Sequence, residues 1–152
     1  MILLVHMLFG SAVGYVVLSK TGRIDLAVTL AFFSHYFLDL FPHIEYPLPY
    51  IKNKNWKRFF PDILKVMLDF GLGLLTILIF SKNQPVLYAF SLAAIVPDGF
   101  TIITSLFPKF LARHNKIHTE KIHFLKYKKI PNFWRIATQV SAVIISITLL
   151  NL

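Results

Sequence analysis

Five long apolar blocks, roughly residues 2–19, 26–42, 63–81, 85–108 and 133–150, leave few folds open to this chain. Each approaches the ~17–25 helical residues needed to cross ~30 Å of hydrocarbon. Strands of a membrane barrel would alternate apolar and polar with period two, and these blocks do not, so they read as helices. Pro42, Pro61, Pro85, Pro108 and Pro131 stand at or just outside block ends, where a missing amide costs little. Asp25 and Asp62 stand at the starts of the second and third blocks, suited to the free amides and positive dipole end of a helix. Composition agrees: 56% hydrophobic against 15% charged residues, with a mean hydropathy of +0.63, leans toward a bilayer rather than a water-soluble core. The expected fold is an all-α integral membrane bundle of about five transmembrane helices, one domain over residues 1–152.

The first block has no basic residue before its apolar run and no small-x-small cleavage site, so it is expected to stay as a mature helix rather than leave as a signal peptide. Cysteine is absent, which removes disulfides and thiolate metal sites. With five crossings, the N-terminus and the 43–61 and 109–132 loops share one side. That side carries Lys52, Lys54, Lys57, Arg58, Lys109, Arg113, Lys116, Lys121, Lys126, Lys128 and Lys129, with Arg135 at its edge; the other has only Lys20, Arg23 and Lys82. The positive-inside rule therefore predicts a cell (inner) membrane protein with its N-terminus and long basic loops in the cytoplasm. The net charge of +9 flanks apolar helices and belongs to no nucleic-acid module, so anionic lipid headgroups are the expected partners and nucleic acid is not. Tyr46, Tyr50, Trp56, Phe59, Phe60 and Trp134 fit an aromatic belt at that interface.

Ionisable residues inside membrane spans are costly and mark function. Here they are His6, His35, Asp39, Lys65, Asp69 and Asp98, and the topology brings His6, His35, Asp39, Asp69 and Asp98 from four helices to similar depths on one side. His35 and Asp39, at i and i+4, share a helix face, with His43 only ~80° further round. Pro97 removes a backbone donor just before Asp98, a distortion tolerated where a helix lines a cavity. Gly10-x3-Gly14 and Gly71/Gly73 permit close helix approach. In the 109–132 loop, Leu111, His114, His118, Ile122 and Leu125 recur at helical spacing, which predicts a short amphipathic interfacial helix. His114 and His118 share its buried face and can cap a cavity, whereas the helical projection puts His123 on a different face. Imidazole and carboxylate without thiolate suit zinc, with manganese second. Plainer readings exist for the parts: histidines that bond between helices, an Asp69–Lys65 ion pair, and a solvated face in the basic loop.

The segments His6-Met-Leu-Phe-Gly10, Ser34-His35-x3-Asp39, Val96-Pro97-Asp98 and His114-x3-His118-Thr119 together resemble signatures of the membrane-bound metal-dependent hydrolases, a group distantly similar to zinc-dependent phospholipase C. Here Ser34-His35-x3-Asp39 comes earlier in the chain than in that group, and no Arg-Gly stands between His114 and His118. The expectation is a metal-dependent hydrolase of a phosphoester or lipid-like substrate at the cytoplasmic leaflet, using a metal-activated water. His6, His35, Asp39, Asp69, Asp98, His114 and His118 are the expected ligands of a divalent metal, with Asp39 or Asp69 as general base or orienting group. An ion or metal transporter and a non-catalytic membrane scaffold are the alternatives.

Overall fold

Residues 2–45, 55, 57–81 and 84–152 are described by the computed structural model, and every regular element among them is helical. Lys52, Lys54, Lys82, Tyr46, Tyr50 and Trp56 lie outside the described residues. Five helices carry the apolar blocks: α1 (Leu3–Thr21), α2 (Ile24–Asp39), α3 (Phe60–Phe80), α4 (Val86–Leu106) and, after a short α5 (Ala112–Lys116), α6 (Asn132–Leu150). Of these, α1, α3, α4 and α6 are long and apolar enough to cross a membrane. Helix α2 has 16 residues. At the usual rise it spans about 24 Å, slightly less than the ~30 Å hydrocarbon core. It ends at Asp39, before the end of its apolar block, because Pro42 cannot continue a helix. The Leu40 and Phe41 amides instead bond three residues back, to Phe37 O at 3.3 Å and Leu38 O at 3.1 Å.

Helix α1 is the hub, packed against α2, α3, α4 and α6. Its buried face holds Gly10, Ser11, Ala12 and Gly14, small enough to admit neighbouring backbones. A methyl group on Gly10 would stand 2.3 Å from Ala94 Cβ and 3.3 Å from Phe90 O, and one on Gly14 would stand 2.3 Å from the Phe90 ring. Ser11 Oγ donates to Leu87 O at 3.0 Å, pinning α1 to α4 with a polar bond that hydrocarbon cannot compete for. Met7, Leu8, Ala31, Ile77 and Phe90 fill the space around this contact. The outer surface exposes Phe33, Leu68, Ile79, Phe133 and Ile144, a face suited to lipid rather than water.

Successive long helices alternate in direction, and cross-contacts fix which ends coincide. Asp69 of α3 accepts from the first amides of α1, Leu3 N at 2.5 Å and Leu4 N at 3.2 Å. His6 of α1 meets Asp39 at the end of α2, and Arg135 in the first turn of α6 donates to His43 O at 3.0 Å. Residues 40–45 and 57–59 and the 107–131 connection therefore lie at the same end of the bundle. The helical segment expected in the second of these is present as three consecutive turns. They are α5, a π-helical turn at Ile117–Ile122 and a 3₁₀ turn at Phe124–Tyr127.

Candidate metal centre

Five of the chain's six histidines place a ring nitrogen within 3.7 Å of one carboxylate, that of Asp39. Three local devices bring them there. The close approach of α1 and α4 at Gly10 sets His6, one turn earlier, beside α2, where its ring stacks on His35 at 3.9 Å between centroids. The tight end of α2 turns His43 back over the last helical turn. The π-helical turn bonds His123 N to His118 O at 3.2 Å, so residues five apart nearly superpose and both imidazoles point inward.

The inner ligands are locked by bonds on their far sides. His35 Nδ1 donates to Ala94 O at 2.8 Å, and a carbonyl can only accept, so a neutral His35 presents a bare lone pair at Nε2. Thr101 Oγ1 donates to Pro97 O at 3.3 Å and accepts from His118 Nδ1 at 3.0 Å, which leaves His118 Nε2 bare as well. These lone pairs face each other, with His35 Nε2 and His118 Nε2 3.2 Å apart. Both also face Asp39 Oδ2, at 3.0 and 3.1 Å, another acceptor. Three buried acceptors at the corners of one triangle repel unless a cation lies between them. Four ligands on a zinc ion at ~2.0–2.1 Å and tetrahedral angles stand ~3.3 Å apart, close to the edges of this triangle. The donor set and its spacing therefore fit a divalent ion, and an imidazole whose other nitrogen is tied to a carbonyl or hydroxyl is the usual form of a metal-binding histidine. His6, whose Nε2 stands 3.2 Å from Asp39 Oδ1 while its Nδ1 has no hydrogen-bond partner, completes a further set with His35 and Asp98. Asp98 Oδ1 stands 3.6 Å from His35 Nε2, and its side chain is 32% exposed where those of His6, His35 and Asp39 are enclosed. The open edge of the cluster is thus at Asp98.

Of the residues expected from the sequence, His6, His35, Asp39, Asp98 and His118 meet in this cluster. Asp69 does not: its carboxylate binds the amide end of α1, a more favourable place for a negative charge than a site already holding other carboxylates. His114 stands just outside, its Nε2 paired with the Tyr36 hydroxyl at 2.8 Å and its ring 5.6 Å from that of His118. Burial, with His118 and His35 nearby, lowers its pKa. Helical projection alone overlooks His123 and Glu45 and leaves His43 without a role. Burial lowers the His123 pKa, but Asp39 and Glu45 outweigh it and push it up to about 9. Glu45 sits well below the usual carboxylate range; burial opposes this, but His123, His43 and Lys126 prevail. A His-x-Glu directly after the proline that ends a helix carrying His-x3-Asp is the signal that could have found them.

No family model, curated protein or solved structure matches the chain. Fold and cluster define its class: an α-helical membrane bundle enclosing an imidazole–carboxylate group able to hold metal.

Proposed function

We propose that this chain is a membrane-embedded metal-dependent hydrolase acting on a phosphoester or lipid-like substrate. The observation that carries the reading is the set of lone pairs on His35, His118 and Asp39, aimed at one another inside the bundle. Imidazole and carboxylate without thiolate favour zinc over softer metals, with manganese second. Such an ion, when bound, supplies an activated water near neutral pH and polarises a phosphoryl oxygen. The protein's own part is positional. Ala94 O and Thr101 fix the imidazole tautomers, and Asp98 at the open edge holds a carboxylate where a nucleophilic water can be oriented and relieved of its proton. Asp39, ringed by imidazoles, serves as a ligand.

The cluster end also bears Lys57, Arg58, Arg113, Lys116, Lys121 and Lys126, against Lys20 and Arg23 at the other described end. That asymmetry supports a cytoplasmic location for the cluster and attraction of an anionic headgroup. The resemblance to membrane-bound metal-dependent hydrolases points the same way.

Metal content of the detergent-purified protein, measured by mass spectrometry beside a His35→Ala/Asp98→Ala double variant, tests this reading. Stoichiometric zinc or manganese, lost in the variant while helicity persists, is the expected outcome. A wild-type protein that takes up no ion after reconstitution overturns the hydrolase and leaves a scaffold in which protons hold the cluster.

A further inference from the structure

The triangle of His35, His118 and Asp39 Oδ2 leaves a second acidic and imidazole-rich face unused. Asp39 Oδ1 stands 3.2 Å from His6 Nε2 on one side and 3.7 Å from His43 Nε2 on the other. His43 Nδ1 donates to Phe41 O at 2.8 Å, so Nε2 carries the lone pair, and it also faces Glu45 Oε1 at 3.2 Å. His123 closes the group: its Nε2 lies 3.1 Å from Asp39 Oδ2, and its Nδ1 lies 3.0 Å from Glu45 Oε1. Asp39, His43 and His123 bring their ligand atoms within 4.8 Å of one another, and all three are buried. With its one N–H donated from Nδ1 to Glu45, a neutral His123 turns the Nε2 lone pair to Asp39 Oδ2 and stands 3.3 Å from His118 Nε2, at the border between the inner group and this one.

The segments that carry this group are clamped from one helix. Arg135 donates to His43 O at 3.0 Å, Lys128 O at 3.1 Å, Ile130 O at 3.3 Å and Lys126 O at 3.4 Å. One turn further along α6, Gln139 Nε2 donates to Ile44 O at 2.9 Å. Lys126 pairs with Glu45 across the two segments. A guanidinium spent on four backbone carbonyls is an unusual use of a residue made to grip carboxylates. Here it holds the irregular stretch bearing His43 and Glu45 against the turn bearing His123. Ligands on loops need such support, because a loop free to move cannot hold its donors within a few tenths of an ångström.

From this we infer that Asp39, His43 and His123, with Glu45 beside them, form a second divalent-cation site, so that Asp39 bridges two ions and Arg135 positions the outer one. The inference rests on the metal reading of the inner group. A bridged pair gives the site two positive centres for a phosphoester, one for the attacking and one for the leaving oxygen.

Counting ions tests it on the wild-type chain. Metal-free protein in detergent is loaded with zinc, dialysed and measured by mass spectrometry beside His43→Ala and Arg135→Gln. Two ions per chain in the wild type, falling to one in each variant, is the expected result. Arg135→Gln discriminates best, because it touches no donor atom and a merely structural role would not remove one ion while sparing the other. One ion per chain in the wild type, or two retained in His43→Ala, overturns the outer site and leaves the inner one standing. No ion at all overturns both readings. Cobalt(II) loading of the wild type requires no variant to fold: magnetic coupling that reduces the electron-spin signal below that of two independent ions supports a shared Asp39, and two uncoupled ions overturn it.

Discussion

Asp69, about two turns into α3, and Asp39, the last residue of α2, are both carboxylates at the cluster end, and their surroundings assign them different work. Asp39 is ringed by imidazoles, whereas Asp69 stands against two amides of α1 that have no partner within their own helix. Replacing Asp69 by Ala therefore removes a cap contributed from another helix and should cost about 0.5–2 kcal/mol of stability. Thermal unfolding in detergent should show that loss, and ion content should be unchanged. A variant that unfolds like the wild type but loses metal would return Asp69 to the ligand set. Depth along a helix is legible in a sequence, because each residue advances a fixed distance, and that is why His6, His35, Asp39, Asp69 and Asp98 read as one layer. Azimuth is not legible without the packing. It is azimuth that sends Asp98 toward His35 and Asp69 toward Leu3.

At the scale of elements, the five apolar blocks became helices because their hydropathy and proline punctuation agree, and the largest corrections are the earlier end of α2, at Asp39, and the earlier start of α3, at Phe60. The 107–131 connection resisted for a specific reason. Projection at ~100° per residue puts residues five apart ~140° from each other, so His118 and His123 read as opposite faces. The π-helical turn closes over five residues instead, and both rings enter the cluster. Glu45 follows Pro42 in a stretch with no periodicity, so no face could be read for it, and His43 is placed only by projecting α2 past its end. Gly10 shows how element packing and site are coupled. It is the point where α1 meets Ala94 and Phe90 of α4, one turn from His6, and a methyl group there would stand 3.5 Å from Ser34 Oγ of α2. Gly10→Ala forces a methyl group against Ala94 Cβ and the Phe90 carbonyl, neither of which is the far end of a flexible side chain. The separation of α1 and α4 must then grow, at about 1–3 kcal/mol by the usual range for overpacking. Because His6 and Asp98 ride on those two helices, a lower unfolding temperature should be accompanied by weaker zinc retention on dialysis. Unaltered retention at reduced stability would show that the cluster tolerates movement of α1 against α4.

For the whole molecule, the cross-contacts at one end make orientation a single question. The start of α1, the end of α2, the start of α3 and the start of α6 meet there, together with the cluster and the turns over residues 112–127. Among the described residues, the far end carries one ion pair, the exposed Arg23–Asp25. Basic residues concentrate at the cluster end, so the positive-inside rule predicts that this end faces the cytoplasm, a prediction open to direct test. The absence of cysteine makes the test clean. Ser19→Cys reports on the far end and Lys116→Cys on the cluster end, both at exposed positions outside the proposed ligand set. In sealed inside-out vesicles a membrane-impermeant maleimide should label Lys116→Cys and spare Ser19→Cys; in right-side-out vesicles the pattern should reverse. Labelling of both from one side would break the alternating arrangement of the helices. A fully inverted pattern would keep the bundle and its cluster but face them to the outer leaflet, and the proposed activity would then have to be sought on that side.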